Sequence, residues 1–194
     1  MSKETFIIDG LRSPIGLKNG GLIGIRPDDL AADIVKGLLD RNSSIDTKNI
    51  EDIAIGCAFP EGSQGMLMAR GISIMAGIPK EAGAKIVNRL CGSSMDATHQ
   101  ISQAIDSDDI NCGIAGGVED MFGVPMGGYT PSFNPLLYEK EYYIGMGETA
   151  ENLANELSIS REDQEDFSIK SHEKSLKAQC EGKFDNEIVS VEFN

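Results

Sequence analysis

The chain has 194 residues, 40% of them apolar and 25% charged, with a formal net charge of −14. That is a globular composition with room for one sizeable domain, or one domain and an appendage. Acidic residues outnumber basic ones 31 to 17, so the clustered Lys and Arg that a phosphate backbone requires are missing and no nucleic-acid partner is expected. No stretch approaches the roughly 18–20 apolar residues of a membrane helix, and the opening "MSKETFIIDGLRSP" has neither the apolar region nor the cleavage site of a secretion signal. The four cysteines, Cys57, Cys91, Cys112 and Cys180, are widely spaced with no CxxC pair. Free thiols in a cytoplasmic protein are therefore expected, rather than disulfides or a structural metal site.

In chain order, "TFIIDG" (5–10) reads as a short buried strand ending in a turn. "PDDLAADIVKGLLDRN" (27–42) spaces Leu30, Ile34, Val35, Leu38 and Leu39 on one helix face, with Pro27 and two acids suited to its first turn. "IEDIAIGCA" (50–58) reads as a strand, and "GMLMARGISIMAG" (65–77) as a helix with Gly77 near its C-terminal cap and Pro79 as a stop. "AKIVN" (84–88) is the next strand, "SMDATHQISQAIDS" (94–107) the next helix and "CGIAGGVE" (112–119) the next strand. The residues Met95, Ala97, Thr98, Ile101, Ala104 and Ile105 are small or modest in size, as in a helix packed closely inside a domain.

This alternation of apolar strands and helices predicts an α/β fold with a mostly parallel sheet covered on both faces. It accounts for a core over residues 1–120. The stretch 121–148 is rich in Gly, Pro and aromatics without a period, and reads as an ordered, partly buried loop. Polar helices follow near 148–157 and 161–181, the second with Ser160 as N-cap and Asp163 three residues on. Residues 121–182 are thus expected to form an inserted cover. The tail 183–194 starts a returning strand, with Ile188, Val189, Val191 and Phe193 apolar, that stops without its partner, as though the chain were cut.

Cys91 stands at the joint between a strand and a helix in "AKIVNRLCGSSMDATHQISQAI" (84–105). Unpaired N–H groups and the dipole at a helix N-terminus favour a negatively charged sulfur and can hold an oxyanion. Gly92 permits an unusual backbone angle or a close substrate approach, and Ser93 and Ser94 can cap the helix. These residues describe an acyl-transfer nucleophile, although a small buried filler is the alternative for any intracellular cysteine. Cys57 and Cys112, at strand ends, read as fillers, and Cys180 as a surface residue. A cysteine nucleophile also needs a base. His99 lies eight residues on, ~12 Å along the helix axis at 1.5 Å per residue, out of reach of the sulfur. His172 sits in a polar helix, so no self-sufficient Cys–His pair is visible.

"VNRLCGSSMDA" and "GIAGGVEDM" together resemble the thiolase family, as do "IIDGLRSPIG" and "MGETAENLANELSISREDQEDFSIKSHEKSLKAQCEGKFDNEIVSV". The resemblance spans essentially the whole chain. "RLCGSSM" is similar to degradative 3-ketoacyl-CoA thiolases, where biosynthetic acetoacetyl-CoA thiolases usually carry "CGSG" and ketoacyl-ACP synthases a different cysteine context.

The resemblance implies the N-terminal half of a thiolase, a mixed, mostly parallel sheet with a central helix behind the nucleophile and an inserted loop domain over the acyl-CoA. Cys91 matches the nucleophile, with its backbone N–H in an oxyanion hole. The second half's "NEAF", "GHP" and "CxG" segments do not occur in this chain. The implied function is cleavage of 3-ketoacyl-CoA by CoA to acetyl-CoA and a shortened acyl-CoA in fatty acid β-oxidation. Acyl-CoA and CoA are the partners, no metal or redox cofactor is involved, and a homo-oligomer or a second-half chain completes the assembly. The alternative is a non-catalytic half-thiolase that binds acyl-CoA or another subunit.

Overall fold

The computed structural model describes residues 4–191. The chain divides into two compact units: one runs to Thr130 and resumes at Glu187, and the other is Pro131–Asn186.

The first unit is built on three strands, β1 (Asp52–Gly56), β2 (Gly83–Val87) and β3 (Gly113–Gly117), with helices α1 (Pro27–Arg41), α2 (Met68–Met75) and α3 (Ser93–Asp106). α1 starts on Pro27 with Asp28 and Asp29 in its first turn, where a helix N-terminus favours negative charge. α2 stops because Gly77 turns left-handed at φ 78°, which lets Gly77 N–H donate to Ile74 and Ile78 N–H to Ser73.

The sheet order is β2-β1-β3 and all pairings are parallel, with Gly56 level with Val87 on one side and Gly117 on the other. The chain leaves β1 for β2 through α2, then crosses β1 to reach β3 through α3. Right-handed crossovers in opposite directions put these helices on opposite faces. Alternation along β1 serves both faces: Ile53, Ile55 and Cys57 pack with Ala32, Val35, Met68 and Ile72, while Ala54 packs with Val87, Ala97 and Ile101 of the α3 side. Small residues at Ala54 and Ala97 let α3 lie close to the sheet.

Some expectations need correction. Residues 5–10 are not a strand, and Phe6, Ile7 and Ile8 are exposed. A strand forms where a neighbour pairs its backbone groups, and among the described residues this segment has none. It is anchored instead through Asp9, which accepts from the Arg41 guanidinium and from the Asn42 amide (2.7 Å). These bonds, Arg41's first, hold the Asp9 carboxyl well below the usual carboxylate range. The antiparallel member of the expected mixed sheet is not among the described residues. Of the returning strand there is a single parallel bridge, Arg12 with Ile188, closed by Arg12 N–H to Glu187 (2.8 Å) and Val189 N–H to Arg12 (2.9 Å). Phe193 lies outside the described residues. Met95 is exposed, although Ala97 and Ile101 on the same helix are buried.

In the second unit, α4 (Pro135–Tyr138) starts on the Asn134 cap, α5 (Met146–Glu156) on the Glu148 carboxylate accepting Gly145 N–H (3.0 Å), and α6 (Arg161–Cys180) on Ser160 accepting Asp163 N–H (3.1 Å). Neither α5 nor α6 buries a residue within the chain. Phe133 and Tyr143 meet edge to face at 4.8 Å. Among the described residues no helix is long and apolar enough to cross a membrane.

Candidate active site

Cys91 follows β2 by four residues and precedes the first residue of α3 by two, at the carboxyl end of the parallel strands. Open parallel sheets bind ligands at that end. Its side chain is exposed. The turn is tightly specified. Asn88 Oδ1 accepts Leu90 N–H at 3.0 Å, and Leu90 takes φ 47°, left-handed for a residue that is not glycine. Ser93 Oγ accepts Arg89 N–H (2.9 Å) and donates to the Leu90 carbonyl (2.5 Å). The remaining backbone bonds of the turn are donated by Gly92, Ser93 and Asp96; among the described residues none is donated by Cys91.

This differs in detail from the local sequence reading. Gly92 is the N-cap, at an ordinary φ of −90°, and no side chain caps α3. The unusual backbone angle belongs to Leu90, and Ser93 is spent on the turn. The Ser93 hydroxyl proton is on the Leu90 carbonyl and its oxygen faces Arg89 N–H, so the hydroxyl is oriented into the turn and caps no helix amide.

Two glycines seat α3. A β-carbon at Gly56 would stand 2.5 Å from both the Ser93 carbonyl carbon and the Ser94 nitrogen, and one at Gly117 would meet Ser94 Oγ at 1.8 Å. The ends of β1 and β3 must therefore be bare for the helix to bring Cys91 to the strand ends. The signal was present as glycine at the end of two predicted strands, but the neighbour that requires it is remote in sequence.

The Glu119 carboxylate was not singled out by sequence reasoning. It follows β3 and accepts from Ala58 N–H (2.6 Å), Phe59 N–H (3.3 Å) and the amide of the fully buried Gln64 (2.9 Å). Gln64 in turn accepts Asp120 N–H. Asn88 joins the same structure by donating to the Ala58 carbonyl at 2.8 Å. The thiol of the buried Cys57 is pushed up to about 11 by burial and by the Glu119 charge, and burial also raises the thiol of Cys112. Cys180 is exposed on α6. His99 is exposed on α3 against Gln103, and His172 is exposed on α6. Within the first unit, His99 is not part of the Cys91 turn. Among the described residues no group of three or more His, Cys, Asp or Glu could hold a metal ion.

Comparison with known proteins points the same way as the turn. The family description "Thiolase, N-terminal domain" matches residues 5–194. A 3-ketoacyl-CoA thiolase of Bacillus subtilis (strain 168) is 45% identical over 193 residues, covering 98% of this chain and 49% of that protein. A beta-ketoadipyl-CoA thiolase of Escherichia coli is 41% identical over 207 residues, covering 97% and 52%. A 3-ketoacyl-CoA thiolase of Shewanella baltica (strain OS155 / ATCC BAA-1091) is 43% identical over 193 residues, covering 98% and 50%. The chain spans about half the length of the curated relatives it matches.

Proposed function

This chain belongs to the thiolase family, and on that premise we propose that it carries the nucleophile of a thiolase acyltransferase, with Cys91 as the attacking sulfur. The observation that carries the reading is the exposed thiol on a fixed turn at the carboxyl end of a parallel sheet, between β2 and α3. The proposed substrate is a 3-ketoacyl-CoA, supported by "RLCGSSM" and by the names of the relatives.

In the first step the Cys91 thiolate attacks the 3-keto carbon. The bond between C2 and C3 breaks, acetyl-CoA leaves as its enolate and takes up a proton, and an acyl thioester remains on Cys91. In the second step the sulfur of CoA, having given up its proton, attacks that thioester, frees Cys91 and releases an acyl-CoA two carbons shorter. The Cys91 N–H, not used by the turn, would receive negative charge developing on the thioester oxygen. The thioester carbonyl of the departing acetyl-CoA delocalises the electron pair left at C2, so the scheme draws on no metal or redox cofactor. The proton carriers are proposed to come from outside residues 4–191, as a continuation of the chain or a second-half thiolase chain. The same reading makes residues 121–182 a cover over the acyl-CoA and places the protein in fatty acid β-oxidation, in the cytoplasm, as a homo-oligomer.

A second reading, a non-catalytic half-thiolase that binds acyl-CoA or another subunit, is favoured by one observation: His99, in the same unit as Cys91, is exposed on α3 eight residues along from it. The test is thiolysis of a 3-ketoacyl-CoA and of β-ketoadipyl-CoA by the 194-residue chain, with and without a second-half thiolase chain, together with mass detection of an acyl group on Cys91. Acylated Cys91 and turnover on adding the second half support the enzyme. Binding of acyl-CoA with no acylation under either condition supports the second reading.

A further inference from the structure

We propose that Asn88 is a positioning residue for Cys91, acting through Leu90 and anchored through Ala58 to Glu119. The inference rests on the reading of Cys91 as nucleophile and deepens it.

Asn88 uses both ends of its amide. Its oxygen accepts Leu90 N–H at 3.0 Å, closing an Asx-turn, and its nitrogen donates to the Ala58 carbonyl at 2.8 Å. Leu90 is the residue before Cys91 and holds φ 47°, a conformation that a leucine keeps only where its surroundings determine it. Those surroundings are Asn88 on its N–H, and Ser93 Oγ and Ser93 N–H on its carbonyl at 2.5 and 3.1 Å.

The second contact ties the turn to β1. Ala58 N–H is fixed at 2.6 Å by Glu119 from the end of β3, and Phe59 N–H by the same carboxylate. A continuous run of hydrogen bonds therefore links β3, the end of β1 and the turn after β2. It ends one residue short of the sulfur. The bonds of Ser93 to Arg89 and Leu90 are internal to the turn; beside the packing of the first turn of α3 on Gly56, the Asn88 side chain supplies a hydrogen bond from the turn to the segment that follows β1. The side chain of Asn88 is exposed, so its role is not to fill the core.

The test is mass-resolved labelling of the folded 194-residue chain with limiting iodoacetamide, reading the ratio of Cys91 to Cys180 labelling. Cys180 is an exposed thiol on α6 and serves as internal reference. Asn88→Ala is expected to lower the ratio about fivefold, the scale of one lost hydrogen bond, with Cys57 still unlabelled. Asn88→Ser keeps an oxygen able to accept Leu90 N–H but loses the amide that donates to Ala58, and should restore the ratio in part. Asn88→Gln keeps the amide but is too long for the Asx-turn, and should fall with Asn88→Ala; it decides the matter should the alanine variant not fold. An unchanged ratio in Asn88→Gln, or an Asn88→Ser ratio no higher than that of Asn88→Ala, overturns the assignment. If Cys91 in the unaltered chain labels no faster than Cys180, it is the nucleophile reading that fails instead.

Discussion

Gly56 and Ser93 approach so closely that a β-carbon on the glycine would stand 2.5 Å from the serine's carbonyl carbon. The first turn of α3 rests directly on the end of β1, and the turn with Cys91 is carried to the strand ends by that contact. Gly56→Ala is expected to destabilise the chain by about 1–3 kcal/mol or more, because the clash is with backbone that cannot rotate away. Gly117→Ala should cost less: the Ser94 hydroxyl can turn to another rotamer, leaving the Gly56 carbonyl oxygen and Ser94 Cβ at 3.0 Å, a milder contact than the 2.5 Å at Gly56. Urea titrations of both variants check the order; a milder effect at Gly56 would show that α3 can retreat from the sheet.

Removing the Glu119 carboxylate takes the acceptor from two backbone N–H groups and from one amide hydrogen of the fully buried Gln64, whose amide also donates to the Phe59 carbonyl at 2.8 Å. Glu119→Ala is expected to lose about 1–3 kcal/mol, the usual consequence of an unsatisfied buried group. Glu119→Gln, which retains one acceptor oxygen, should lose less. Denaturant midpoints of the two variants against the unaltered chain give the comparison.

Thiol chemistry should separate the four cysteines by place. Cys91 is expected to be alkylated first and Cys57 last, with Cys57 unlabelled at pH 8, where its raised thiol stays protonated. The same shift has a stability consequence. Between the ordinary value of 9.0 and about 11 the unfolded chain releases this proton while the folded chain keeps it. Its contribution is complete below pH 9 and is lost as pH rises to about 11. The denaturant midpoint of the unaltered chain should therefore fall more steeply across that window than that of Cys57→Ala; parallel slopes would contradict the assignment.

Limited proteolysis should find 131–145 before 120–130. Asp120 receives Phe122 N–H and Gly123 N–H, Glu61 receives Tyr129 N–H, the Tyr129 hydroxyl donates to the Gly123 carbonyl, and Val124 is buried. Between Pro131 and Gly145 the backbone is mostly exposed and held by one short helix. Early products ending before Thr130 would show that the bonds around Asp120 and Glu61 are weaker than their geometry.

By itself the sequence determined the order of elements from α1 to β3 and the place of Cys91 between β2 and α3. These depend on neighbours within a few residues: the 3–4 spacing of Leu30, Ile34, Val35 and Leu38, the stop at Gly77, the cap at Ser160. The motif around Cys91 also carried the family. What only the tertiary structure decided were relations across long separations. The strand order β2-β1-β3 needs pairings that no local pattern encodes. Asn88 meets Ala58 thirty residues away, Glu119 meets Ala58 sixty-one residues away, and Gly117 is bare because of Ser94. The left-handed turn falls on Leu90 rather than Gly92 for the same reason. A glycine adopts that angle on its own, whereas Leu90 is held there by Asn88 and Ser93. Residues 5–10 show the converse: an apolar, β-branched run is only a strand in waiting until a neighbouring strand satisfies its backbone.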